Sequence, residues 1–187
     1  LTIALPTHIT AAVGMDALSH CLEAFFAPFY HPMARGIAVE GSRLVKEWLP
    51  TAVKDPGNIE ARSHMMVASQ AGATAFQRGL GAMHALAHSL GALYNAHHGL
   101  LNAVLMPYVL KANANAIADD AAHLANCLGL DPTLDGLVDW VLKIREEVGI
   151  PETLAGMEIN DDEKERIGAR AEERRAGKEC RSRVSPE

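Results

Sequence analysis

Asp16 and His20 stand four residues apart, and His84 and His88 repeat that spacing. On a helix each pair shares a face, one turn apart, with side chains near enough to meet at one ion. His98 follows His84 by fourteen residues, with Gly91 and Asn95 between them, so a bend can turn it toward the same cavity. A carboxylate with two or three imidazoles is a mixed oxygen and nitrogen donor set. It suits Fe²⁺, Zn²⁺, Co²⁺ or Ni²⁺ better than Ca²⁺ or Mg²⁺, which prefer shells of oxygen. No cysteine joins the cluster, which argues against a structural zinc site of thiolate type. A lone Asp-x-x-x-His pair is a weak signal, and the combination carries the reading. His8, His31, His64 and His123 are read as ordinary histidines, hydrogen-bonded or exposed.

Helices must position these residues. The chain is 49% hydrophobic but only 5% aromatic, so its core rests on Ala, Leu, Val, Ile and Met. Such side chains, Ala and Leu above all, lose little freedom in a helix. No convincing alternation of period two marks a strand. Helical patterns cover about 10–26, with Thr10 as N-cap, and 32–48, with Pro32 in its first turn. A third runs from an Asn58 cap toward Phe76, rich in small residues that let a neighbour approach closely. Gly79 and Gly81 interrupt the pattern. Helices are then expected over 82–92, 100–111, 117–128 and 132–148, the last closed by Gly149 and Pro151. The expected fold is an all-α helical bundle over 1–160, followed by a charged tail over 161–187, frayed and then disordered.

Composition excludes several classes. The net charge of −6 provides no sequence-wide attraction for nucleic acid. No apolar run approaches the roughly 20 residues of a membrane helix, and no signal peptide is seen. Three scattered cysteines, Cys21, Cys127 and Cys180, read as reduced thiols in a cytoplasmic protein. The first residue is Leu, so the chain is expected to start inside a longer gene product.

Three stretches carry a resemblance: Gly14-Met-Asp-Ala-Leu-Ser-His-Cys-Leu-Glu23, Gly79-Leu-Gly-Ala-Met-His-Ala-Leu-Ala-His88, and His98-Gly-Leu-Leu-Asn-Ala-Val-Leu-Met-Pro107. They resemble the motifs of iron-dependent (group III) alcohol dehydrogenases. The resemblance spans about 1–149 and fades after about residue 172. It implies the helical, metal-carrying C-terminal domain of a two-domain enzyme, with the N-terminal NAD(P)-binding α/β domain absent from this chain. Carried over by motif, the metal ligands are Asp16, His20, His84 and His98, holding Fe²⁺, with Zn²⁺ as the alternative. His88 matches a histidine beside the site, either a proton relay or a group orienting a ligand. His97 is not taken as a ligand. Ser89 stands where the family usually has Pro, a change that a helix tolerates.

The implied reaction is hydride transfer between a small alcohol or aldehyde and NAD or NADP, in an enzyme that is homo-oligomeric at full length. Gly79-Leu-Gly81 is no phosphate loop, since no strand precedes it and the G-x-G-x-x-G spacing fails. The isolated chain is therefore expected to have little dehydrogenase activity. The alternatives are a glycerol dehydrogenase, a lactaldehyde reductase or a hydroxyacid–oxoacid transhydrogenase of the same superfamily, or a non-catalytic metal-binding fragment.

Overall fold

The computed structural model describes residues 2–159, 167–169 and 172. Among these residues the chain is all helical, with no strand. The order is α1 (Thr7–Phe26), α2 (Pro32–Lys54), α3 (Ile59–Ala75), a 3-10 turn (Phe76–Arg78), α4 (Ala82–Tyr94), α5 (His98–Ala112), α6 (Ala114–Cys127), α7 (Leu134–Glu147) and a second 3-10 turn (Ala155–Met157).

α1 is the axis of the bundle. Its residues are buried along most of its length, from Thr10 to Phe25, because α2 and α3 cover one side and α5 another. α5 packs against it and pairs with α4, and α6 and α7 form a second pair that closes the core around Leu124, Leu137, Val141 and Ile144. Small residues set how near α1, α2 and α3 lie. A β-carbon on Gly41 would stand 2.5 Å from Cys21 Sγ, and one on Gly72 would stand 3.0 Å from both Ala17 O and His20 Cβ. The small-residue run of α3 thus lets it press against the turn of α1 that carries His20.

Several helix ends differ from the sequence expectation. α1 begins at Thr7, not Thr10, with Pro6 as its N-cap. Proline suits a helix start because its missing N–H would be unpaired there anyway. Thr10 sits inside the helix, its hydroxyl donating back to Pro6 O at 3.2 Å. α2 runs past residue 48 to Lys54, through Pro50. Burial of Leu49 and Ala52 on either side of the proline holds this last turn in place of the missing backbone bond. α6 begins three residues early, at Ala114, directly after Asn113 caps α5.

The Pro32 start, the Asn58 cap and the Gly149 stop read as expected, while α7 starts at Leu134, two residues later than expected, behind a Thr133 cap. His31 Nδ1 accepts the Ala34 N–H at 3.2 Å, and Asn58 Oδ1 accepts that of Ala61 at 2.9 Å. Thr133 Oγ1 accepts the Gly136 N–H at the start of α7. Gly149 closes that helix with φ 74°, a left-handed conformation that favours glycine. His64 stacks on Trp48, His123 lies against Phe25, and His8 and His31 are exposed. Cys21 and Cys127 are free thiols. Burial pushes the Cys21 thiol up to about 12, so it is inert packing at neutral pH. Cys180 and the expected frayed tail lie outside the described residues, apart from 167–169 and 172, which are helical.

Candidate metal centre

Three helices, α1, α4 and α5, meet near the middle of α1. Asp16 and His20 lie one turn apart on it, facing α4 and α5. His84 comes from the first turn of α4 and is 1% exposed. Asn95, left-handed at φ 50°, ends α4, and His97 caps α5 by accepting the Leu100 N–H. The chain bends between them, and His98, the first residue of α5, returns to the same place.

The polar atoms converge on Asp16 Oδ1. His98 Nε2 lies 3.7 Å from it and His84 Nε2 lies 3.9 Å from it. Ligand atoms of Asp16, His20 and His84 all fall within 4.8 Å of one another. The His20 and His84 rings stack with centroids 4.7 Å apart, and His98 sits 5.3 Å from His84. His88 is half-buried at the edge, its ring stacked on His98 at 4.8 Å. His97 is exposed.

Two side chains that the sequence reading left without a role order this cluster. Glu23, 8% exposed, accepts from His84 Nδ1 at 2.7 Å, and from the Gly81 and Met83 N–H groups, also at 2.7 Å. A carboxylate only accepts, so Nδ1 of His84 carries a proton, and in the neutral ring the Nε2 lone pair is bare. Among the described residues nothing hydrogen-bonds that Nε2, although it is buried. Asn102, fully buried on α5, donates from Nδ2 to Asp16 Oδ1 at 2.7 Å and contacts His98 Nε2 at 3.0 Å. Both residues were legible in principle. Glu23 follows His20 by three residues on a largely apolar helix, and Asn102 follows His98 by four, so each shares a face with a site histidine.

Electrostatics favour an added cation. Burial holds the His20 and His98 imidazoles below the usual histidine value, an effect that Asp16 partly opposes. Both are therefore neutral at pH 7, the form that ligates. A bare, buried imidazole nitrogen facing a carboxylate oxygen beyond hydrogen-bond reach is a costly arrangement alone. One carboxylate with three imidazoles fits Fe²⁺ or Zn²⁺, and a divalent ion at this point gives the orphaned Nε2 the partner that it lacks.

α5 approaches α1 closely only because residue 99 is glycine. A β-carbon there would stand 2.6 Å from Ala12 O and 3.1 Å from Asp16 Cβ. The obstacle is backbone, which cannot rotate away. Gly99→Ala is expected to cost about 1–3 kcal/mol of stability and to displace His98 from Asp16. Urea unfolding measures the first effect and Zn²⁺ titration the second. Wild-type values in both would show that the two helices separate freely.

Known proteins resemble this chain over most of its length. The sequence model of the Fe-containing alcohol dehydrogenase family, C-terminal, matches residues 10–182. The match passes residue 172, where the resemblance was expected to fade. A 4-hydroxybutyrate dehydrogenase of Cupriavidus necator is 42% identical over 173 residues, 87% of this chain and 44% of that protein. An NAD-dependent methanol dehydrogenase of Bacillus methanolicus is 33% identical over 181 residues, 91% of this chain and 47% of that protein. A crystal structure of 1,3-propanediol oxidoreductase superposes with a TM-score of 0.86 at 32% identity, over 90% of this chain and 46% of that one. The chain thus spans less than half the length of the relatives that it matches.

Proposed function

The chain belongs to the Fe-containing alcohol dehydrogenase family, and from that premise we propose that it forms the metal-binding part of an NAD(P)-linked alcohol dehydrogenase. Asp16, His20, His84 and His98 are its ligands, holding Fe²⁺, with Zn²⁺ as the alternative. The observation that carries this reading is the bare, buried His84 Nε2, aimed with His98 Nε2 at Asp16 Oδ1. Residues 1–160 form the helical metal-binding unit and 161–187 a charged tail. The nicotinamide cofactor is bound mainly outside these residues, in a cytoplasmic, homo-oligomeric enzyme. The names of the relatives support a small alcohol or aldehyde as substrate, and a chemistry in which hydride passes to or from the nicotinamide ring.

When bound, a divalent cation supplies Lewis acidity, which lowers the pKa of an alcohol and polarises a carbonyl. The chain's own residues do the rest. Asp16 supplies the one negative charge among the four ligands. Glu23 keeps the His84 proton on Nδ1, away from the ligating nitrogen. Phe76, itself exposed, stacks on His20 with ring centroids 5.6 Å apart and covers one face of that ring. His88, half-buried against His98, is placed to move a proton between the site and solvent through its imidazole.

Joining this chain to the nicotinamide-binding part of the Cupriavidus necator relative tests the reading. The chimera is expected to oxidise small alcohols with NAD(P), and His84→Ala to abolish that turnover. A folded, metal-loaded chimera inactive on every small alcohol and aldehyde tried would contradict it. In the same chimera, His88→Ala is expected to lower kcat by about 100-fold or more while the metal content stays unchanged. Loss of the metal together with activity would instead make His88 a ligand or a ligand's support.

A further inference from the structure

We propose that Asn102 is a positioning residue of this centre, a hydrogen-bond donor that stands among its acceptors until a cation arrives. The inference rests on reading Asp16, His84 and His98 as metal ligands.

Around Asp16 Oδ1 the site presents acceptors: the carboxylate itself, the bare His84 Nε2, and His98 Nε2. Asn102 Nδ2 reaches two of them, Asp16 Oδ1 at 2.7 Å and His98 Nε2 at 3.0 Å, one for each of its two protons. The amide orientation follows from chemistry, because a carboxylate oxygen accepts only and the nitrogen must face it. It also sets the His98 tautomer. Nε2 accepts, so its proton sits on Nδ1 and the lone pair faces the centre.

The other end of the amide supports a role beyond packing. Asn102 Oδ1 is buried with no hydrogen-bond partner among the described residues. An amide held for stability alone would be a poor choice there, since an unsatisfied buried acceptor costs free energy. Its value lies in the nitrogen. A lone pair serves one partner at a time, so a cation on His98 Nε2 replaces the Asn102 contact. The bond to Asp16 Oδ1 can persist, because a carboxylate oxygen carries more than one acceptor position. Asn102 then orients Asp16 in both states and presets the His98 ring in the empty one.

Asn102→Leu keeps much of the side-chain shape and removes the donor. Zn²⁺ affinity of the 187-residue chain, measured by chelator competition, is expected to fall about 10- to 100-fold. The thermal midpoint of the metal-free protein is expected to stay at or above wild type. The Co²⁺ absorption spectrum, which reports ligand geometry, is expected to change shape. Unchanged affinity and spectrum in a folded Asn102→Leu protein would overturn the proposal.

Nitrogen-15 shifts of the His98 ring in the metal-free wild type supply a second test that needs no variant. A proton on Nδ1 is expected, and one on Nε2 would overturn the proposal. Wild-type protein that takes up no Zn²⁺ would refute the metal reading, while the His98 tautomer would still decide the Asn102 contact.

Discussion

Glu23→Gln is expected to weaken metal binding about 10- to 100-fold while leaving the fold largely intact. In the wild type, both carboxylate oxygens accept, one from Met83 N–H and the other from Gly81 N–H and His84 Nδ1. Glutamine offers one acceptor and one donor. Placed with its oxygen on Met83, it turns an NH₂ group toward His84 Nδ1. The ring then relieves the clash by moving its proton to Nε2, the nitrogen that must be bare to ligate. Metal affinity falls although no ligand has been changed. Glu23→Ala is expected to go further. It also strips the N-terminal turn of α4 of its cap and costs about 3 kcal/mol or more, a fall of about 6–12 °C in Tm. Zn²⁺ competition and thermal unfolding on both variants check this. Wild-type metal affinity in Glu23→Gln would show that the His84 tautomer is set by something else.

Arg78→Ala is expected to destabilise the chain by about 2–5 kcal/mol, measured by urea unfolding. Arg78, 7% exposed, donates to the carbonyls of Ala24 at 2.9 Å and Phe25 at 3.0 Å, and also to those of Ala27 and Phe29. The first two belong to the last turn of α1, where carbonyls lack intrahelical partners, and Pro28 brings no N–H to help. One planar guanidinium gathers these four carbonyls. Lysine carries the charge without the fork, so Arg78→Lys should fall between wild type and Arg78→Ala. A loss below about 1 kcal/mol in the alanine variant would mean that water replaces the guanidinium at these carbonyls.

Glu23 and Arg78 together explain how the segment before α4 fixes His84, a proposed metal ligand. Glu23 leaves α1 to cap the start of α4, and Arg78, just before α4, caps the end of α1. The segment between them contains Gly79 at φ 106° and is fixed at both sides. A β-carbon on Gly81 would stand 3.0 Å from Glu23 Oε1, so glycine there admits the carboxylate. His84 inherits its position from this exchange.

How much of this the sequence revealed follows from the range of each interaction. Local signals were readable: the Asn58 cap, the Pro32 start, the Gly149 stop and the bend at Asn95 each depend on a few neighbouring residues. The spacing of Asp16 with His20, and of His84 with His88, placed each pair on a face. Spacing alone could not separate ligand from neighbour, and His88 is set apart from His84 only by the tertiary placement of its ring beside His98. Thr10 misled because it has a capping side chain, while Pro6, four residues earlier, already provided a helix start. Pro50 misled because the burial of Leu49 and Ala52 outweighs one lost backbone bond. Glu23 and Asn102 share a helix face with His20 and His98, which spacing reports, but their bonds to His84 and Asp16 span 61 and 86 residues, which no periodicity reports.

Metal content is the most direct test of the central claim. The wild-type chain and His98→Ala would be purified without oxygen, offered Fe²⁺ and Zn²⁺, and analysed by mass spectrometry. The four-ligand centre predicts about one ion per wild-type chain, with most of it lost in the variant. A wild-type chain that stays empty after addition of either metal, or a His98→Ala protein that keeps a full complement, would contradict it.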